Sequence, residues 1–374
     1  MMKLAHRPKM YRAVGLSACL LLAACGDREA TSDSAKTLVG AGTPVPVAAE
    51  TQAVTTQSKD AADDPEIWVD PADHTRGLIF GTDKQAGLYV YDLNGKQVAF
   101  FADGRLNNVD LRADFPTPQG TRVLVAASDR VRKGAALYLL DPATLQVAPW
   151  DLLKMDLAEP YGLCVGRRGD DFLVLMNDQN GQARQVKVAA GPDGKLVGTP
   201  ERSFAIPSQP EGCVFDDIAG RLYIGEEDKG VWRYDMAATS PAQGTLILPA
   251  PSKELQPDVE GITLLREGPI TWLIVSSQGD SAFAVWRVDG DAPEYHGRFS
   301  PVAANGVDGV TGTDGVAALG GAVGAYSEGL VVAQDDVDTD GEAASTNRVR
   351  QNFKLIDWRE VKKALKLDTQ PPAP

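Results

Sequence analysis

The chain has 374 residues, 43% hydrophobic and 24% charged, with 37 Lys and Arg against 51 Asp and Glu for a formal charge of −14. So acidic a balance argues against nucleic acid as a partner, because a phosphate backbone is held by clustered cations. With 37 Gly and 7% aromatics the composition is that of a turn-rich globular protein, which excludes collagen, coiled coils and multi-span membrane proteins.

The chain opens with Lys3, Arg7, Lys9 and Arg12, followed by an apolar stretch over residues 13–24 that is too short to span a bilayer. Residues 1–24 are therefore expected to be a signal peptide. Leu22-Ala23-Ala24-Cys25 resembles the lipobox of bacterial lipoproteins, which makes Cys25 the expected lipidation site. The expected location is the bacterial cell envelope, with membrane contact through that lipid only, or the exterior after release. Cleavage would remove four cations and move the net charge from −14 to −18. Residues 25–59, rich in Ala, Thr, Ser, Gly and Pro without apolar periodicity, are expected to be a flexible tether, and residues 369–374 a disordered tail. Cys164 and Cys213 sit in the apolar runs Gly-Leu-Cys-Val and Gly-Cys-Val-Phe. They are expected to be buried thiols, with pairing in an oxidising envelope as the alternative.

From residue 60 to 368 the pattern is one of short β-branched and aromatic runs broken by Gly, Asp and Pro, with a helical period only at Trp358 to Lys366. One unit recurs six times: a polar or acidic cluster, a strand, a turn, a second strand, a polar loop, a third strand. The opening clusters are Asp63-Asp64-Pro65, Asn107-Asn108, Glu159-Pro160-Tyr161-Gly162, Pro210-Glu211-Gly212, Asp258-Val259-Glu260-Gly261 and Thr313-Asp314-Gly315, spaced 44 to 54 residues apart. Repeats of roughly 40–50 residues are what four-stranded propeller blades require. The expected fold is an all-β, six-bladed β-propeller in a single domain.

In a propeller, equivalent positions of all blades lie on one face, so the six clusters ring one mouth of the central channel. That mouth gathers Asp63, Asp64, Glu211, Asp258, Glu260 and Asp314, with Glu226, Glu227 and Asp308 beside them. Carboxylates so crowded require counter-ions or raised pKa values. Oxygen donors without His or thiolate favour Ca²⁺ over zinc or copper, and beyond His6 the chain holds only His74 and His296. Lys84 and Arg130, with Arg105, Arg184 and Tyr161, fall at the same mouth. Metal on some oxygens and N–H donors on others is what a phosphate-bearing ligand needs.

Asp63-Asp64-Pro65-Glu66-Ile67-Trp68-Val69, Gly104-Arg105-Leu106-Asn107-Asn108-Val109-Asp110, Leu222-Tyr223-Ile224-Gly225-Glu226-Glu227-Asp228, Asp258-Val259-Glu260-Gly261, Ser276-Ser277-Gln278-Gly279-Asp280 and Asn352-Phe353-Lys354-Leu355 together resemble the β-propeller phytases, in order from about residue 60 to 365. The resemblance implies a Ca²⁺-dependent phosphomonoesterase of the 3-phytase type. Its substrate would be phytate, myo-inositol hexakisphosphate, taken as the calcium complex and attacked by a water that the metal bridges. It implies Asp63, Asp64, Glu211, Glu227, Asp258, Glu260, Asp308 and Asp314 as metal ligands. Glu211, Glu227, Asp258 and Glu260 would serve catalysis, and Lys84, Arg130, Tyr161 and Arg184 would contact phosphate. Where that family places a Lys in the third blade's loop, this chain has Gln179. The expected assembly is a monomer.

The residues support the same chemistry without the family. Metal charge on an acidic surface reconciles it with an anionic substrate. Neither Cys164 nor Cys213 has an Arg six positions later, Asp170 and Ala219 standing there, which argues against a phosphocysteine route. Two other classes stay open at this level: a non-enzymatic Ca²⁺-stabilised propeller that binds an envelope ligand, and a propeller lactonase.

Overall fold

The computed structural model describes residues 40–57, 60–339 and 350–367. The expected signal peptide, Cys25 and the tail 369–374 lie outside the described residues. Two short strands come first, β1 (Thr43–Pro46) and β2 (Ala49–Glu50). Blade one follows as β3 (Ala62–Asp70), β4 (Asp73–Asp83), β5 (Gly87–Asp92) and β6 (Gln97–Phe101), and blade two as β7 (Leu106–Thr117), β8 (Gly120–Asp129), β9 (Gly134–Asp141) and β10 (Gln146–Lys154). Blade three is β11 (Pro160–Arg168), β12 (Asp171–Asp178), β13 (Gln182–Ala190) and β14 (Leu196–Ala205); blade four is β15 (Pro210–Asp216), β16 (Arg221–Glu226), β17 (Gly230–Asp235) and β18 (Thr245–Pro249). Blade five holds β19 (Ile262–Glu267), β20 (Ile270–Ser277), β21 (Ala282–Arg287) and β22 (Glu294–Val302), and blade six β23 (Val316–Gly320), β24 (Gly329–Asp335) and β25 (Asn352–Asp357). Each blade is an antiparallel meander, and its first strand contacts the first strands of its neighbours, so these six strands line the axis. This is the six-bladed propeller that the repeat predicts.

The apolar runs explain themselves in this arrangement. Successive side chains of a strand point to opposite faces, and each blade is covered on both faces by a neighbour. Ile79 packs toward blade six and Phe80 toward blade two; Val331 packs toward blade five and Val332 toward blade one. Every interface between adjacent blades therefore carries its own buried cluster, and a second strand reads as a continuous apolar run rather than an alternating one.

The ring closes with the N-terminal segment. β2 is the outermost strand of blade six, with Ala49 opposite Leu355 and Glu50 opposite Lys354, while β1 adds a parallel fifth strand to blade five. The expectation of a tether through residue 59 is thus corrected from residue 43 onward. Of β1 only Val45 is buried, and the edge strand tolerates Pro44 and Pro46 because few ladder donors are needed. So short a segment leaves little periodicity to read.

The expectation of free thiols is also corrected. Cys164 on β11 and Cys213 on β15 form a disulfide with Cα atoms 5.6 Å apart. The repeat places them on adjacent axial strands, and the bond staples blades three and four. After blade six, α1 (Trp358–Leu365) is capped by Asp357, whose carboxylate accepts from the Arg359 amide at 2.9 Å. It buries Trp358 and Val361 against blades five and six.

Candidate functional site

Six equivalent backbone bonds define an outer ring at the mouth. The amides of Lys84, Arg130, Gln179, Glu227, Gln278 and Asp336 donate to the carbonyls of Ala61, Arg105, Glu159, Gln209, Asp258 and Thr311 at 2.7 to 3.1 Å. An inner ring stands at the head of each axial strand: Asp63, Asn107, Tyr161, Glu211, Glu260 and Asp314. Its backbone is pinned from the second strands, where Thr82, Ser128 and Asn177 side chains each accept from the following residue's amide at 3.0 Å. The Gly after several ring residues is a packing requirement. A Cβ on Gly162 would lie 1.8 Å from the Glu211 carbonyl oxygen, and one on Gly212 would lie 1.9 Å from that of Glu260.

The two rings are polarised. Acids occupy the inner ring in blades four, five, six and one. Glu211, Glu227 and Glu260 bring one carboxylate oxygen each within 4.8 Å of one another. Gln209 donates to Glu227 at 2.6 Å, Asn107 to Glu211 at 2.7 Å, and Gln278 bridges Glu260 and Asp314 through a single Nε2. Burial, reinforced by neighbouring acids, pushes Glu211 and Glu260 well above the usual carboxylate range. Burial also pushes Glu227 up to about 8, opposed by Gln209 and reinforced by Asp258, which stands beside it.

The cations come from blades one and two, Lys84 among the acids and Arg130 beside them. Lys84, 8% exposed, stands 3.0 Å from Asp314, 3.1 Å from Asp63 and 3.2 Å from Asp60. Burial alone would lower its ammonium, but Asp314, Asp60 and Asp63 together hold it well above its ordinary value. Burial raises Asp63 to about 6 in spite of Lys84. Arg130 lies over the Tyr161 ring, 5.3 Å from its centroid, and Tyr161 is 9% exposed. Burial and the nearby Glu211 push the Tyr161 phenol well up, so it is a donor at neutral pH. Arg184 is the third residue of β13 and donates to its neighbour Ala183 at 3.0 Å; among the described residues no bond joins it to the cluster. The expectation that Arg184 takes part is not supported by this placement, and Gln179 holds the ring position that Lys84 and Arg130 hold in blades one and two.

Other expected ligands separate from this cluster. Asp64, the next residue after the ring, turns toward the axis, accepts from Val109 N at 3.0 Å and lines a small axial cavity with Glu66 and Asp110. Asp308 belongs to a second carboxylate group with Glu50 and Asp338 at the seam of blade six. Lys354, fully buried, lies against Glu50 and Asp308 and 3.3 Å from Asp335. The placement of Asp308 at the first cluster is corrected accordingly, because the loop entering blade six carries it outward. Glu50 and Asp338 were missed. The acidic run Asp335-Asp336-Val337-Asp338 was a legible signal, whereas Glu50 lay in the expected tether. Glu226 is structural: it accepts from Ser208 Oγ and from Trp232 Nε1, the latter at 2.6 Å. Asp129 and Asp178 likewise cap their own loops.

The donor set fits a hard divalent cation. All three approaching ligands are carboxylate oxygens, and each accepts a hydrogen bond from a neutral amide rather than from a cation. Lys84, Arg130 and Tyr161, from blades one to three, supply N–H and O–H donors of the kind that phosphate oxygens accept.

Comparison with known proteins places this geometry. A family model described as phytase matches residues 14–371. A curated 3-phytase of Bacillus subtilis (strain 168) is 33% identical over 313 residues, covering 81% of this chain and 80% of that protein.

Proposed function

The chain belongs to the phytase family, and from that premise we propose that its phytate hydrolysis depends on Ca²⁺ held by Glu211, Glu227 and Glu260. It is a phosphoric monoester hydrolase of the 3-phytase type, which replaces the non-enzymatic and lactonase alternatives. The observation that carries the calcium reading is the meeting of those three carboxylates within 4.8 Å beside a cationic half-ring. When bound, a hard cation supplies charge that polarises phosphoryl oxygens and acidifies water.

The chain's own residues divide the remaining work. Lys84 and Arg130 offer N–H donors to phosphate oxygens, and Arg130 is the better suited to a bidentate contact because its fork is planar. The Tyr161 ring beneath the guanidinium steadies its position through a cation–π contact. Asp258, beside Glu227, adds negative charge to the ligand set. Glu50, Asp308 and Asp338 form a second oxygen set at the ring's seam, but there the buried ammonium of Lys354 already supplies the countercharge.

The test is inorganic phosphate released from phytate by the purified chain, with Ca²⁺ and with a chelator in parallel. Release that chelation abolishes and Ca²⁺ restores is expected; release indifferent to the chelator would overturn the calcium reading. We further propose lipid attachment at Cys25 in a bacterial envelope, with the protein acting as a monomer. Labelled palmitate incorporated into wild type and lost in Cys25→Ala is the expected result. No helix among the described residues is long and apolar enough to cross a membrane.

A further inference from the structure

The three carboxylates that meet at the mouth share a feature that neither the repeat nor the family accounts for. Each is held by the side-chain amide of a neutral residue: Glu211 by Asn107, Glu227 by Gln209 and Glu260 by Gln278. Asn107 makes the point most sharply. It is fully buried, so its carboxamide must find its partners inside the fold. Its Nδ2 donates to Glu211 Oε1 at 2.7 Å and to Asn108 Oδ1 at 3.2 Å, while its Oδ1 is buried without a hydrogen-bond partner. Turning the amide over would set Oδ1 against both Glu211 Oε1 and Asn108 Oδ1, so these two acceptors together fix the orientation. The bond reaches from blade two to blade four across the mouth, which loop packing alone would not require.

We infer that Asn107 and Gln209 are positioning residues that aim the carboxylates of Glu211 and Glu227 at a shared cation without cancelling their charge. A Lys or Arg at either place would make a stronger bond to its carboxylate, but it would also neutralise the site in the absence of metal. An amide orients and leaves the charge in place. Within the same ring Lys84 pairs with Asp63 and Asp314, two acids outside the group of three, although Gln278 donates to Asp314 as well as to Glu260. The inference rests on the cation reading given above, and the experiment separates the two.

The experiment is calorimetric titration of the metal-stripped full chain with CaCl₂, for wild type, Asn107→Leu, Gln209→Leu and Gln209→Lys, with folding checked by circular dichroism. Partners that orient metal ligands typically change affinity by 10–100-fold when removed, and a loss of about that size is expected in both Leu variants. Gln209→Lys separates aiming from packing: it should also bind Ca²⁺ more weakly, yet melt at a higher temperature than wild type in chelator, because it supplies the missing countercharge. Folded Leu variants with wild-type affinity, or a Lys variant that binds Ca²⁺ as tightly as wild type, would overturn the inference. Should Asn107→Leu not fold, the two substitutions at half-buried Gln209 decide it. Wild type that takes up no Ca²⁺ would remove the calcium reading and this inference with it.

Discussion

The ammonium of Lys84 lies 3.0 Å from Oδ2 of Asp314, a residue 230 positions further along the chain. The bond joins the first blade to the sixth at the mouth, so one cation serves both ring closure and the site. Lys84→Ala leaves Asp63 and Asp314 buried beside each other without their cation, and losing one partner of a buried pair costs about 3–5 kcal/mol. The variant is expected to melt lower in chelator and to lose at least about 100-fold in kcat/KM for phytate at saturating Ca²⁺, which corresponds to roughly 3 kcal/mol at 1.36 per decade. Steady-state kinetics on the folded variant checks this. Wild-type turnover would remove Lys84 from the phosphate-binding set.

Protons and calcium should compete for Glu227, and other buried acids add to the same pH dependence. Burial raises Glu227 to about 8, Asp63 to about 6 and Asp335 to about 7, the last two in spite of Lys84 and Lys354. A carboxyl raised on folding binds more protons in the native than in the unfolded state between its two pKa values. Stability therefore falls as pH rises through that window, here from about 4 to about 8. The metal-free chain should melt at a lower temperature at pH 8 than at pH 5.5, and Ca²⁺ should erase the difference while releasing protons into a weakly buffered solution. A metal-free melting temperature that rises across this range would contradict the charge assignment.

The Cys164–Cys213 bond closes a loop across 49 residues. In the chain-entropy account a loop of that length contributes roughly 4 kcal/mol. Each cysteine follows a ring residue, Tyr161 or Glu211, by two or three positions, so the staple also fixes the spacing of two blades that supply the mouth. Replacing both cysteines by Ala is expected to lower the melting temperature by on the order of 10 °C while leaving measurable phytate hydrolysis. Differential scanning calorimetry with and without reductant would decide this, and a wild-type scan unmoved by full reduction would show the bond to be thermally idle.

The fold was legible because six repeats of similar length admit few architectures, and because acid–Gly pairs mark the axis at blades four, five and six. Glu211 with Gly212 and Glu260 with Gly261 could be read in the sequence since close approach between blades demands the Gly. Other features depended on contacts between distant segments. Glu50 reaches Lys354 from across 304 residues, and its strand has only two residues, too few to show a period. Asp308 shares its residue type with the mouth acids but not their place in the blade. Asn107 and Gln209 carried no signal, because an amide in a loop announces turn chemistry until the carboxylate it faces is known.

Gln179 poses the remaining question about phosphate binding. Its backbone amide donates to Glu159 just as those of Lys84 and Arg130 donate to Ala61 and Arg105, so the three residues occupy equivalent places in adjacent blades. Two of them present cations to the mouth and the third an amide. A Lys at this place would extend the cationic arc next to Tyr161, on the half of the ring that lacks carboxylates, and so would not compete with the cation cluster for its charge. One added charge-assisted hydrogen bond is worth about 1.5–3 kcal/mol, of which solvent at this half-buried position would take a large part. Gln179→Lys is therefore expected to lower KM for phytate by on the order of 10-fold, to move kcat little, and to leave Ca²⁺ affinity unchanged. Initial rates over a range of phytate concentrations at fixed Ca²⁺ would measure the split. A variant whose kcat collapses, or whose Ca²⁺ affinity falls, would show that this place in the ring belongs to the metal half, and the polarity assigned to the mouth would have to be redrawn.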